Sequence, residues 1–123
     1  MVDAGVDHSG QVCSAYQRAA EIIGRRWSGA ILRALLEDAT QFCQVRAAVP
    51  DVSNRMLSER LREFEAEGIV KRLVIPERPV RVEYRLTEKG RALEGVVDAV
   101  AAWAEEWISS EETGEEQEAA DRA

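Results

Sequence analysis

A chain of 123 residues with 46% hydrophobic and 32% charged side chains has the size of one domain and can bury a core without disulfides or metal. It lacks the roughly 18-residue apolar run of a membrane helix and an apolar signal segment before Ser9, and its two cysteines, Cys13 and Cys43, are too few for a disulfide framework or a zinc site. The net charge of −7 belongs to one end: residues 94–123 hold ten acids and one base, whereas residues 54–91 hold ten bases and seven acids, so the acidic total does not exclude a nucleic-acid partner.

Residues 1–11 are polar and without periodicity, and are expected to form a flexible leader. From Cys13 to Gly24 the apolar positions Tyr16, Ala19, Ala20 and Ile23 predict a first helix ended by the glycine. Ser28 is placed to cap a second helix, with Trp27 before it stapling onto Leu32. That helix runs to about Glu37 and buries Ile31, Leu32, Leu35 and Leu36. Thr40 then caps a short helix with Phe42, Val45 and Val49 on one face, broken by Pro50-Asp51-Val52. Ser53 caps a fourth helix from Asn54 to Glu67, which buries Leu57, Leu61 and Phe64 and stops at Gly68.

The period then changes. Ile69–Ile75 is rich in β-formers, and Arg81–Leu86 alternates strictly, with Val82, Tyr84 and Leu86 on one face. With Pro76-Glu77-Arg78-Pro79-Val80 between them, the two runs predict a hairpin. Thr87 caps a long last helix, to about Ile108, whose apolar surface is wider than one small domain needs. Residues 109–123 combine like charge with no aromatic or β-branched aliphatic side chain, and a disordered acidic tail is expected there. The domain proper is then 12–108, mostly α with a small β-hairpin, in the order of a winged helix-turn-helix.

Opposite Leu57, Leu61 and Phe64, the fourth helix presents Arg55, Ser58, Glu59 and Arg62, with Asn54 at its start. Two guanidinium forks, a hydroxyl and a carboxylate suit the major groove. The same face is also that of any solvated amphipathic helix. The hairpin favours the first reading, because Arg78 and Arg81 add bases at the loop tip. Lys71, Arg72 and Arg85 are weaker candidates that balance Glu83 and the solvent side of the strands.

The chain resembles the HxlR-type winged helix-turn-helix transcriptional regulators, relatives of the MarR type, over about residues 13–107. The resemblance begins at Cys13 and Ile23-Gly24-x-x-Trp27, and passes through Ile31-Leu32 and Phe42. Next come Pro50-Asp51-Val52-Ser53-Asn54-Arg55-Met56-Leu57-Ser58, Leu61-Arg62-Glu63, Glu65 and Gly68-Ile69-Val70. It is most specific at Pro76-Glu77-x-Pro79 and Arg81-Val82-Glu83-Tyr84-x-Leu86-Thr87-x-x-Gly90. Departures are Ser14 where the family has proline, Arg25-Arg26 for Gly-Lys, and Gln44 for glutamate.

The resemblance implies a homodimer built on the first and last helices and bound to double-stranded operator DNA; with no export signal, the two thiols are expected to be reduced, in a cytoplasm. The resemblance also implies a sensing role for Cys13 toward an oxidant or electrophile. A thiolate at a helix start is favoured by the helix dipole, although Cys13 also suits a half-buried position at a dimer seam. Tyr16, Trp27, Val100, Trp103 and Trp107 are expected at the dimer interface or around an aromatic pocket for a small-molecule inducer. A winged-helix interaction module without DNA binding is the rival reading. No enzyme, metal or cofactor is expected: His8 is the single histidine, and no Gly-rich phosphate loop or catalytic Ser-His-Asp set is present.

Overall fold

The structure is a computed structural model that describes residues 13–122, with side chains through Ser109. The leader 1–11 lies outside them. The chain runs α1 (Ser14–Gly24), α2 (Ser28–Leu36), α3 (Phe42–Ala48), α4 (Asn54–Ala66), β1 (Val70–Ile75), β2 (Arg81–Leu86), α5 (Glu88–Arg91) and α6 (Glu94–Arg122). The two strands pair antiparallel, Val70 opposite Leu86 through Ile75 opposite Arg81. This is the expected winged helix-turn-helix, mostly helical with one hairpin.

Helix α2 lies at the centre of the core. Its Ile31, Leu32, Ala34 and Leu35 join Val45 and Val49 of α3, Val52 of the turn, and Leu57, Leu61 and Phe64 of α4. Ile69, Val70 and Val97 complete the set. Two helices end in the same reversal. Asp38 and Gly68 take positive φ of 71° and 74°, and the next residue's N–H reaches back five residues, Ala39 to the Ala34 carbonyl and Ile69 to the Phe64 carbonyl. Aspartate and glycine are residue types that enter this conformation.

Four local expectations are corrected. Ser28 does not cap α2. It is the helix's first residue and fully buried, while Trp27 is the N-cap, with left-handed φ of 73° and no side-chain cap bond. The chain turns at Trp27 because the Ser28 N–H closes onto the Arg25 carbonyl at 3.0 Å, and the indole there carries the Arg26 guanidinium 5.3 Å above its ring. Nor does Thr40 cap α3. Its carbonyl accepts the Tyr84 N–H at 2.7 Å, which keeps it extended beside β2. The helix therefore starts one residue later, with Gln41 and Gln44 forming a reciprocal capping box.

The long last helix is divided. Thr87 caps α5 as expected, accepting the Gly90 N–H, but the Leu93 N–H bonds to the Gly90 carbonyl three residues back before α6 begins. Gly90 explains the tight course. A Cβ there would sit 2.2 Å from the Ile69 carbonyl oxygen, so the backbones meet where no side chain fits. Gly90→Ala is therefore expected to cost about 1–3 kcal/mol or more, lowering Tm by roughly 10 °C in a thermal melt followed by circular dichroism.

Finally, the segment expected to be a disordered tail continues α6 as helix through Arg122; residue 123 lies outside the described residues. Composition speaks to whether a segment can bury a core of its own. A helix already nucleated by packing at Val97 extends through 109–122 without a new nucleation cost, because Glu, Gln and Ala, all good helix formers, outnumber Ser109, Ser110, Thr113 and Gly114 there.

Candidate nucleic-acid interface

Helix α4 owes its start to Ser53, whose hydroxyl accepts the Met56 N–H at 3.0 Å. Leu57, Leu61 and Phe64 anchor one side in the core, which forces Arg55, Ser58, Glu59 and Arg62 onto the other (period 3.6). The Arg55 side chain is 88% exposed, held only by an i,i+4 contact with Glu59 at 3.3 Å. Such a surface pair is worth about 0–1 kcal/mol, so DNA can exchange it readily. Arg62 is exposed, and Ser58 and Glu59 are half-buried between the two arginines.

The other arginine of this helix has a different task. Arg60 is 12% exposed. It bonds Glu63 at 2.9 Å and the Arg26 carbonyl at 2.9 Å, while Glu63 also pairs with Arg25 at 2.8 Å. Arg18 of α1 reaches Glu67, the α4 C-cap residue, at 2.6 Å. The back of α4 is thus tied to α1 and the loop that follows it. Sequence reading missed these ties, which join residues 34 to 49 positions apart and leave no local pattern.

Arg46 was missed too. Its Nε donates to Asn54 Oδ1 at 2.6 Å, and its Nη1 to the carbonyls of Pro50 at 3.1 Å and Val52 at 2.7 Å. One guanidinium spans the turn of the helix-turn-helix. A cation in the last turn of a helix, four residues before a proline, is the available signal, because uncapped carbonyls accumulate there.

On the wing, Arg78 is exposed in the turn, beside a cis bond to Pro79. Arg81 is half-buried and contacts Glu77 at 3.4 Å. Arg85 binds both oxygens of Glu83, at 2.9 and 3.1 Å, with Glu83 itself 5% exposed. The weaker rank given to Arg85 follows from this pairing. Lys71 and Arg72 lie exposed on β1.

The aromatic candidates are not brought together. Trp27 lines a cavity of about 380 Å³ with Ala34, Val49 and Pro50, between α2 and α3. Trp103 lines an open groove with Gly95, Val96, Ala99 and Val100. Tyr16 and Trp107 are more than half exposed. Helix α6 carries two adjacent stripes. Val97, Ala101 and Ala104 face a cavity of about 360 Å³ beside Ile23 and Gly29, which Val100 also lines, whereas Val96, Trp103 and Trp107 stand in the open and Val100, between the two stripes, is itself more than half exposed.

Cys13 is the N-cap of α1, half-buried, its Sγ accepting the Tyr16 N–H at 3.4 Å. Cys43 is exposed on α3, donating to Gln41 Oε1 at 3.8 Å. Among the described residues no group of three His, Cys, Asp or Glu is placed to hold a metal ion, and no helix is long and apolar enough to cross a membrane.

Residues 22–112 match the HxlR-like helix-turn-helix family. The chain is 47% identical over 98 residues to the HTH-type transcriptional regulator YvaP of Bacillus subtilis, spanning 80% of this chain and 91% of that one. Among solved structures it is similar to the reduced form of the transcriptional regulator YodB of B. subtilis, with 41% identity and a TM-score of 0.69 over 79% of this chain and 95% of that one. YodB has also been solved quinone-bound, at 37% identity and a TM-score of 0.66 over 78% of this chain and 100% of that one. The redox regulator HypR in its reduced form aligns with 37% identity and a TM-score of 0.72 over 81% and 99%. With the helix-turn-helix, the wing and this likeness in agreement, the chain belongs to the HxlR-like helix-turn-helix family of transcriptional regulators.

Proposed function

We propose that two copies of this protein bind one palindromic DNA operator and that covalent modification of Cys13 releases them. The observation that carries the reading is the outward face of α4: Arg55 stands almost fully in solvent and Arg62 is exposed, on a helix capped and anchored from behind. In each copy α4 enters a major groove, and the two half-sites lie about one helical turn apart. Asn54, Arg55, Ser58, Glu59 and Arg62 meet base edges and nearby phosphates, while Arg78 sets the wing on the backbone or in the minor groove. Arg81, engaged with Glu77, supports the wing and reaches DNA only by exchanging that partner. The thiol part of the reading draws on relatives solved quinone-bound and as redox regulators, and on the place of Cys13 at the head of α1.

The test of DNA reading separates two arginines. Arg55→Ala is expected to lose sequence discrimination by ~1–3 kcal/mol, as for a bidentate base contact. Arg78→Ala is expected to weaken binding to every duplex alike and to flatten the salt dependence. Fluorescence anisotropy on operator and random duplexes across a salt series measures both. If both variants bind as wild type does, α4 and the wing are not the interface.

The acidic end of the chain, residues 109–123, repels DNA in this reading. Its deletion is expected to raise affinity for random duplexes more at low salt than at high salt. Equal affinities of full-length and truncated protein at low salt exclude that role.

A further inference from the structure

Asn54 is the first residue of α4, at the end of the helix that leads into the groove in the proposed reading. An arginine carries donors and no acceptor. The Asn54 side-chain atom 2.6 Å from Arg46 Nε is therefore its oxygen, because the amide nitrogen there would set donor against donor. The bond is short and charge-assisted, hence among the stronger hydrogen bonds of a protein. The same guanidinium is fixed from its other end by the carbonyls of Pro50 and Val52, so it cannot follow the amide if Asn54 turns. An asparagine that reads adenine needs both halves of its amide, the nitrogen donating to N7 and the oxygen accepting from N6. Here one of the oxygen's two lone pairs is already engaged on the protein side, which fixes the amide and leaves the exposed Asn54 both N–H donors and only one lone pair.

We propose that Arg46 is a positioning residue of the DNA-reading surface, which holds the Asn54 amide by one lone pair of its oxygen so that this side chain meets DNA first through its N–H donors. Its counterpart is an acceptor atom on the duplex, either a phosphate oxygen or an acceptor on a base edge such as guanine O6 or N7. The bidentate adenine contact is disfavoured, because the oxygen would have to meet N6 with its second lone pair while the guanidinium fixes the amide. The inference rests on the operator-binding reading above and refines which chemistry α4 offers.

The experiment starts from duplexes selected from a random pool by the full-length wild-type protein. Dissociation constants are then measured for Asn54→Ala, Asn54→Asp, Arg46→Met and the Arg46→Met/Asn54→Ala double variant. Asn54→Asp keeps an acceptor for Arg46 but has no donor, so it is expected to bind about tenfold more weakly than Asn54→Ala. Arg46→Met is expected to reduce affinity by a clearly larger factor when Asn54 is present than in the Asn54→Ala background. The part common to both backgrounds reports its hold on the turn. A duplex-independent loss in Asn54→Ala identifies a phosphate as the acceptor, and a loss confined to the selected site identifies a base.

Equal effects of Arg46→Met in both backgrounds, or Asn54→Asp binding as well as Asn54→Ala, overturn the proposal. An Asn54-dependent adenine preference in the wild type that disappears with 7-deazaadenine also overturns it. Where Arg46→Met fails to fold by circular dichroism, the Asn54→Asp to Asn54→Ala ratio still decides. If the wild type selects no sequence at all, the operator-binding reading falls and takes this inference with it. If it selects a site but the ratio is one, the inference alone falls.

Discussion

Val100→Glu combined with Trp107→Glu is expected to give a folded monomer that has lost operator binding by a factor of about 10²–10⁴, the gain that linking two binding modules provides. The two side chains are 59% and 54% exposed, so charge there costs the isolated fold little, and circular dichroism should match wild type. Their stripe nevertheless holds two tryptophans and two valines on one helix face. An exposed apolar patch with aromatic residues is the composition of a protein interface. The adjacent stripe, with Val97 buried against α2, already serves the fold. A second copy placed by a two-fold axis would cover the outer stripe with its own equivalent. Sedimentation equilibrium measures the outcome. A wild-type protein that is monomeric at micromolar concentration, or a double variant that remains dimeric, removes the interface from α6.

That two-stripe arrangement was legible in the sequence as an apolar surface too wide for one domain, because helical periodicity alone reports which faces are apolar. The core faces of α2 and α4 were legible for the same reason, whereas in β2 the residue most buried is Glu83, paired with Arg85, and not one of Val82, Tyr84 and Leu86. Misread features depend on backbone closure or on distant partners. Nothing local says that the Thr40 carbonyl will be taken by Tyr84, 44 residues on, and so displace a cap by one position. Nothing local marks Gly90 as the point where two backbones touch. The interface was legible in part. Outward arginines on α4 follow from its period, but the difference between Arg55, which is available, and Arg60, which is fastened to the Arg26 carbonyl, is tertiary. Within one chain the aromatic candidates stay apart, because they lie on elements that face different ways, Trp27 toward α3 and Trp103 along the outer side of α6.

Diamide is expected to release wild-type protein from its operator and to leave Cys13→Ser bound, with a loss in the wild type of about 5- to 150-fold, the usual range of a coupling between two sites. The physical basis is how loosely α1 is held. None of its residues is fully buried; Ile22 leans on the core and Ile23 borders the cavity beside α6. Its ties to α4 are the Arg18–Glu67 pair and, from the residue just beyond the helix, Arg25–Glu63. Partly exposed ion pairs contribute about 0–1 kcal/mol each, so a change of that size at the head of α1 competes with them. Modification of the Cys13 sulfur displaces the weak acceptor that caps Tyr16 N–H, at a cost bounded by the about 1 kcal/mol of losing an oxygen N-cap. It also adds bulk where the proposed dimer packs α1 against its partner. A shift of α1 then acts directly on the back of the recognition helix through Glu63 and Glu67. It also acts on the spacing of the two recognition helices, which successive grooves fix. Cys43, exposed on α3 and away from these ties, should be replaceable by serine without effect unless the two thiols pair. The deciding measurement is a gel-shift titration of wild type, Cys13→Ser and Cys43→Ser with and without diamide, with mass spectrometry to confirm that Cys13 is modified. Unchanged wild-type affinity at full modification would mean that the signal enters elsewhere than α1.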